Sequence, residues 1–259
     1  MIMNAICPLS QIPVRSEPSD RSEMVTQILF GETFSILEER GNWILIHLHF
    51  DGYEGWIDRK QALKITDENL AQINHKSKHV LADRTGLCRC KNDDSELLLS
   101  KGSQVIVTEK GTFHIGKKTY ITASHIKAIP KRFMASRVAA TAMDYINVPY
   151  LWGGRSMMGV DCSGLVQVVY HMCGLDLPRN ASQQATLGIA LDFVDEARPG
   201  DLAFFDSPFG DIVHVGIMIG SGMILHASGQ VKIDLIDHNG IFSREQSTYS
   251  HSLRIIKRF

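Results

Sequence analysis

Cys162 stands at the head of an apolar run, Val160-Asp161-Cys162-Ser163-Gly164-Leu165-Val166-Gln167-Val168-Val169-Tyr170, that reads as a buried helix. Asp161 is placed to cap that helix by accepting from free backbone N–H groups of the first turn. The sulfur then lies at the positive end of the helix dipole, which favours thiolate over thiol. Gly153, Gly154 and Gly159 allow a flexible, close-packing approach just upstream, where a substrate chain could lie against the sulfur. A thiol so placed is half of a nucleophilic site; the other half is a base.

Eleven histidines are candidates for that base, and position selects two. Ile212-Val213-His214-Val215-Gly216-Ile217-Met218-Ile219 and Met223-Ile224-Leu225-His226-Ala227 read as strands joined at Gly220-Ser221-Gly222. A three-residue hairpin loop puts His214 and His226 on one face, directly opposite or one diagonal step apart, within roughly 5–8 Å. One ring can then take the thiol proton while the other orients it. The same pair also reads as polar side chains satisfied within a sheet, or as two ligands of a Cys-His-His zinc site without the usual close ligand spacing.

Asp161-Cys162-Ser163-Gly164, Arg198-Pro199-Gly200-Asp201-Leu202-Ala203-Phe204-Phe205, His214-Val215-Gly216-Ile217 and Leu225-His226-Ala227 occur in this order. Together with Tyr150-Leu151-Trp152-Gly153-Gly154 they resemble the NlpC/P60 cysteine peptidases over roughly residues 131–259. The resemblance implies a papain-like fold and hydrolysis of murein peptides at the bond from γ-D-glutamate to a diamino acid. It makes Cys162 the nucleophile, His214 the base and then acid, and His226 the orienting residue. The Cys162 backbone N–H and the Tyr150 hydroxyl would hold the oxyanion. No metal or cofactor is implied. Pro178-Arg179-Asn180-Ala181-Ser182-Gln183-Gln184 resembles a family segment beside the cleft; it also reads as an Asn- or Ser-capped helix start, with Arg179 facing a substrate carboxylate.

The elements ahead of this domain are small and β-rich. Residues 1–65 carry about five short strands, with turns at Gly41-Asn42 and a hairpin around Asp51-Gly52. Val14-Arg15, Pro18-Ser19, Gly41-Asn42-Trp43 and Tyr53-Glu54-Gly55-Trp56-Ile57 resemble a bacterial SH3 (SH3b) domain. Trp43, Tyr53 and Trp56 read either as a peptide-binding face or as core. A polar connection with a short helix near 66–73 leads to residues 79–130, a second, diverged SH3b-like module. Cys88 and Cys90 read there as strand neighbours on one face. The expected class is therefore α+β: a papain-like NlpC/P60 domain at 131–259 behind two small SH3-like barrels at 1–65 and 79–130.

This architecture resembles the peptidases that trim free murein tripeptides and tetrapeptides and require a free N-terminal L-alanine. Asp161, Ser163 and, from the first module, Tyr53 and Glu23 (Glu17 as the fallback) would then receive the ammonium. Asp161 also has its capping duty.

Composition excludes other classes. The 259 residues carry a formal net charge of −1, which gives nucleic acid or anionic membrane no electrostatic hold. No apolar run nears the ~18 residues a bilayer requires. Five cysteines, an odd number, and an N-terminus unlike a secretory signal give the expectation of a cytoplasmic protein without a disulfide framework. The rival readings are a surface hydrolase with SH3b wall anchors, a catalytically dead binding protein and a lipid acyltransferase. Neither the diamino acid preferred nor the oligomeric state is written in the sequence.

Overall fold

The computed structural model describes residues 3–75, 78–109, 111–243 and 247–259, which form mostly β structure with four α-helices. None of these helices is long and apolar enough to cross a membrane. The chain divides into two compact units, Met1–Ile129 with Arg155–Met158, and Pro130–Gly154 with Gly159–Phe259.

The first unit begins with strands β1 (Met3–Ile6), β2 (Gln11–Arg15), β3 (Met24–Leu29), β4 (Thr33–Arg40), β5 (Trp43–Leu48), β6 (Glu54–Asp58) and β7 (Leu63–Ile65). They form an antiparallel sheet in the order β3-β2-β6-β5-β4-β1-β7. Alternation sets its faces: Ile44, Ile46 and Leu48 of β5 are buried, while Trp43, Leu45 and His47 are only half so. Trp56 is also buried and Tyr53 packs partly against the same core, so the aromatic set is largely structural.

Helix α1 (Asp67–His75) leads to β8 (His79–Leu81), β9 (Thr85–Cys90), β10 (Glu96–Ser100), β11 (Gln104–Glu109), β12 (Thr112–Ile115), β13 (Lys118–Ile121) and β14 (Ile126–Ala128). Their order, β10-β9-β13-β12-β11-β8-β14, repeats that of the first sheet strand for strand. Cys88 and Cys90, two apart on β9, point to one face and join Phe113 and Tyr120 in its core. Ile6 and Phe30 of the first module enter that core too. The Gln104 N–H donates to the Phe30 carbonyl at 2.8 Å. Gly31, at φ +81°, lies so close that a Cβ would meet the Gln104 oxygen at 2.0 Å, so only glycine fits.

The sequence placed Arg155–Met158, which includes β15 (Arg155–Ser156), in the last domain, but these residues pack within the first unit. A buried guanidinium explains this. Arg155 Nη1 and Nη2 donate to the Glu32 carboxylate at 2.9 and 2.8 Å, and Nη1 also donates to the Gln27 carbonyl at 2.7 Å. The Arg155 group lies 4.9 Å from the Phe50 ring centroid.

The second unit contains α2 (Ala135–Met143), β16 (Gly159–Val160), α3 (Cys162–Met172), α4 (Ala181–Gln184) and β17 (Ile189–Leu191). Five further strands pair in chain order: β18 (Leu202–Asp206), β19 (Ile212–Gly220), β20 (Met223–Ser228), β21 (Gln230–Asp237) and β22 (Gly240–Ser243). The long β23 (Thr248–Arg258) pairs with both β18 and β22 and closes a barrel, with β17 added at its edge. Every residue of α3 is buried, and the helix packs against β19 and β20.

Removing one partner of a buried ion pair typically costs about 3–5 kcal/mol, whereas replacing both with apolar groups costs far less. Glu32→Gln is therefore expected to lower the urea midpoint of the first unit strongly. The double change Arg155→Met with Glu32→Leu should recover much of the loss, as read by Trp fluorescence.

Candidate active site

Asp161 organises the head of α3. Its Oδ1 accepts from the Gly164 N–H at 2.7 Å, capping the helix as the sequence implied, and its Oδ2 accepts from the Gly153 N–H at 2.8 Å. Arg179, 2% exposed, closes a fork on the same carboxylate, with Nη1 3.0 Å from Oδ1 and Nη2 2.5 Å from Oδ2. Ser163 Oγ donates to Oδ1 at 3.3 Å and accepts from Arg179 Nη1 at 2.8 Å. Gln184 Nε2 donates to the Ser163 and Pro178 carbonyls at 3.1 and 2.8 Å, tying α4 to α3.

This corrects the expectation for Arg179. Its guanidinium neutralises Asp161 from inside rather than facing a substrate carboxylate. Asn180 starts α4 as the sequence suggested, and its N–H donates to Gln183 Oε1 at 3.3 Å. The glycines serve close packing rather than flexibility: a Cβ on Gly154 would meet the Gly159 carbonyl oxygen at 2.4 Å. Asp201 of the Arg198-Pro199-Gly200-Asp201 stretch is structural, accepting from Arg258 Nε at 3.0 Å and Nη2 at 2.7 Å.

Cys162 is 7% exposed, and its thiol is pushed up to about 11, first by burial and then by the Asp161 charge. Backbone hydrogen bonds from Val215 and Ser163 and the nearby Arg179 pull the other way, and burial wins. Burial therefore opposes the thiolate that the helix start favours, and the proton needs an acceptor. The Val215 bond puts the sulfur beside the residue that follows His214.

His214 and His226 share a face, and the register decides between the two arrangements the sequence allowed. Gly216 pairs with His226, so His214 lies one diagonal step away. His214 Nε2 is 2.9 Å from His226 Nδ1. His226 Nε2 is in turn 3.0 Å from Asp234 Oδ2, and Lys232 Nζ is 3.3 Å from the same oxygen. His251 of β23 stacks on His214 with centroids 4.2 Å apart and planes 26° from parallel. Burial is the main force holding His214, His226 and His251 below the usual imidazole range, His251 at about 4.

The ligand atoms of these three histidines lie within 4.8 Å of one another. His251 is stacked on His214, while His226 stands at 84° to His214. The group does not include Cys162, so it is not the Cys-His-His set that the sequence left open.

Tyr150 is half-buried, with its phenol pushed up to about 12 by burial and then by Cys162 and Asp161, so it is a hydrogen-bond donor near the sulfur. Tyr53 lies in the first unit, where its backbone N–H donates to Asp51 Oδ1 at 3.0 Å. Glu17 and Glu23 are exposed on that unit. Sequence reasoning missed Asp234, Lys232 and His251. The first two had a signal: Gly229 turns the β20–β21 hairpin, and the resulting register sets Lys232 opposite His226 with Asp234 two residues on.

A buried thiol at a helix head that packs against the strands of a histidine pair has the makings of a nucleophile and its base. Residues 147–249 match the NlpC/P60 family and residues 14–61 match the bacterial dipeptidyl-peptidase Sh3 domain. The chain thus carries an NlpC/P60 hydrolase domain behind a bacterial SH3 domain. It is 29% identical over 258 residues to the dipeptidyl-peptidase 6 of Lysinibacillus sphaericus, covering 91% of this chain and 92% of that one. To the gamma-D-glutamyl-L-lysine dipeptidyl-peptidase of Bacillus subtilis (strain 168) it is 28% identical, covering 78% and 71%. Its fold is similar to the crystal structure of an NlpC/P60 family protein from Bacillus cereus ATCC 10987, with TM-score 0.82 and 20% identity over 98% of this chain and 99% of that one.

A histidine kept neutral in the fold but free to protonate when unfolded costs stability as the pH falls. All three rings are lowered from 6.5, so the loss begins near that value and continues to about 4, where His251 titrates. Thermal melts at about pH 7 and about pH 5 should show a lower midpoint in acid, and His251→Asn should lessen the difference.

Proposed function

We propose that this protein is a cysteine peptidase that cuts the γ-D-glutamyl–diamino acid bond of murein peptides bearing a free N-terminal L-alanine. The observation that carries the reading is the 2.9 Å His214–His226 contact on strands packed against the helix that Cys162 opens. Relatives named as dipeptidyl-peptidases acting on gamma-D-glutamyl-L-lysine support it.

In this reading His214 takes the Cys162 proton as the sulfur attacks the γ-carbonyl carbon. The resulting oxyanion is held by the Cys162 N–H and the Tyr150 hydroxyl. Collapse expels the diamino acid amine, which receives the proton from His214. A water, deprotonated by His214, then hydrolyses the thioester and releases L-Ala-γ-D-Glu. His226 holds the imidazolium that forms in each step.

The carboxylate of Asp161 already carries Arg179, so the reading leaves recognition of the free ammonium mainly to Tyr53 and Glu23, with Asp161 and Ser163 in support. The papain-like α+β description of the second unit and a diverged SH3b assignment for residues 79–130 belong to the same proposal. The repeated strand order supports the latter. The role is recycling of free wall peptides in the cytoplasm. Five buried cysteines, all free thiols, are compatible with a reducing compartment.

Mass spectrometry of L-Ala-γ-D-Glu-meso-diaminopimelate and its N-acetylated form is the test. Cleavage of the free peptide alone is expected, and Cys162→Ala should abolish it without loss of fold. Cleavage of both forms would favour a wall hydrolase, and cleavage of neither a binding protein. Tyr53→Ala should reduce the preference for the free amine; an unchanged preference would detach the first module from recognition.

A further inference from the structure

Asp234 bears on the reaction although it lies two side chains from the thiol. Its Oδ2 is 3.0 Å from His226 Nε2, and its carboxylate is only 12% exposed. Lys232, on the same strand, pairs with that oxygen at 3.3 Å. An ionised carboxylate only accepts, so His226 must carry its proton on Nε2. The other tautomer would set two bare acceptors 3.0 Å apart.

With Nε2 protonated, a neutral His226 has its lone pair on Nδ1. That atom is 2.9 Å from His214 Nε2, which must then be the donor. A neutral His214 is left with its lone pair on Nδ1. This is the nitrogen not engaged by His226 and the one able to receive a proton. The charge of Asp234 thus fixes the tautomer of a ring it does not touch.

We infer that Asp234 is a positioning residue that, through His226, determines which nitrogen of His214 acts as base. The inference rests on the peptidase reading for its kinetic consequence but not for its tautomers. The titratable groups acting on the pair are Asp234 and Lys232 from β21 and His251 from β23; from α3, Cys162 meets the backbone of Val215, next to His214. Of these, Asp234 is the anion hydrogen-bonded to His226, and it opposes the lowering of that ring by burial.

The test is long-range ¹H–¹⁵N NMR of the full chain labelled at histidine, with kinetics on L-Ala-γ-D-Glu-L-Lys. The wild type should show both His226 and His214 protonated on Nε2 near neutral pH. Asp234→Ala should scramble these tautomers and lower kcat roughly 10–100-fold, the range for removal of a ligand-orienting partner, with KM nearly unchanged. The acid limb of kcat/KM should move to lower pH, because the removed carboxylate favours the imidazolium. Asp234→Glu should restore part of kcat. Asp234→Leu, close in shape and without an acceptor, gives the same readouts if the alanine variant folds poorly. Unchanged tautomers and an unchanged pH profile in the folded Ala or Leu variant would overturn the inference. If the wild-type protein cleaves neither this peptide nor its meso-diaminopimelate counterpart, the peptidase reading fails, and the NMR result alone decides the role of Asp234.

Discussion

A single carboxylate holds the nucleophile end of this protein together. Asp161 caps α3, anchors the approaching chain through Gly153 and takes the buried fork of Arg179. Each contact reduces the cost of burying the others: the helix N–H groups and the guanidinium neutralise the carboxylate, and it satisfies them in return. Remove it and the cation, the helix start and the glycine turn lose their shared partner. Arg179 extends the effect to Ser163, and Gln184 ties α4 to the same turn. The position of the sulfur is a consequence of this arrangement.

The electrostatics of the site follow from burial. Burial pushes the Cys162 thiol up and the His214 imidazole down, so desolvation works against charge on either group. The hydrogen-bonded row from Asp234 through His226 to His214 orients the His214 ring. Its geometry depends on β19, β20 and β21 being adjacent in one sheet.

Much of this was legible in the sequence. The helix at Cys162, its Asp161 cap and the shared face of His214 and His226 followed from capping chemistry and a period of two. So did the strands around Trp43-Ile44-Leu45-Ile46 and the Asp51-Gly52 hairpin. What escaped was set by tertiary contacts. Arg155 reads as a loop residue of the last domain until Glu32, more than a hundred residues away, is seen beneath it. Arg179 looks like a substrate ligand because spacing does not say that its partner is Asp161. The rise of the Cys162 pKa depends first on burial, which the sequence does not show. His251 was hidden because β23 reaches His214 by closing the barrel, a pairing that short-range patterns do not encode.

That closure also bears on folding kinetics. Strand β23 pairs Lys257 with Leu202 and Ser252 with Asp206, so the barrel is joined by contacts between residues far apart in the chain. Such pairings must meet the loop-closure entropy before they return any contact energy, and sheets built on them form slowly compared with a local helix. The helix of Cys162 has only local bonds to make, whereas the imidazole row waits on the β-hairpins, and the ring stacked against it waits on the last strand. The nucleophile thus sits on an element of local contacts and its base on a sheet closed by distant ones.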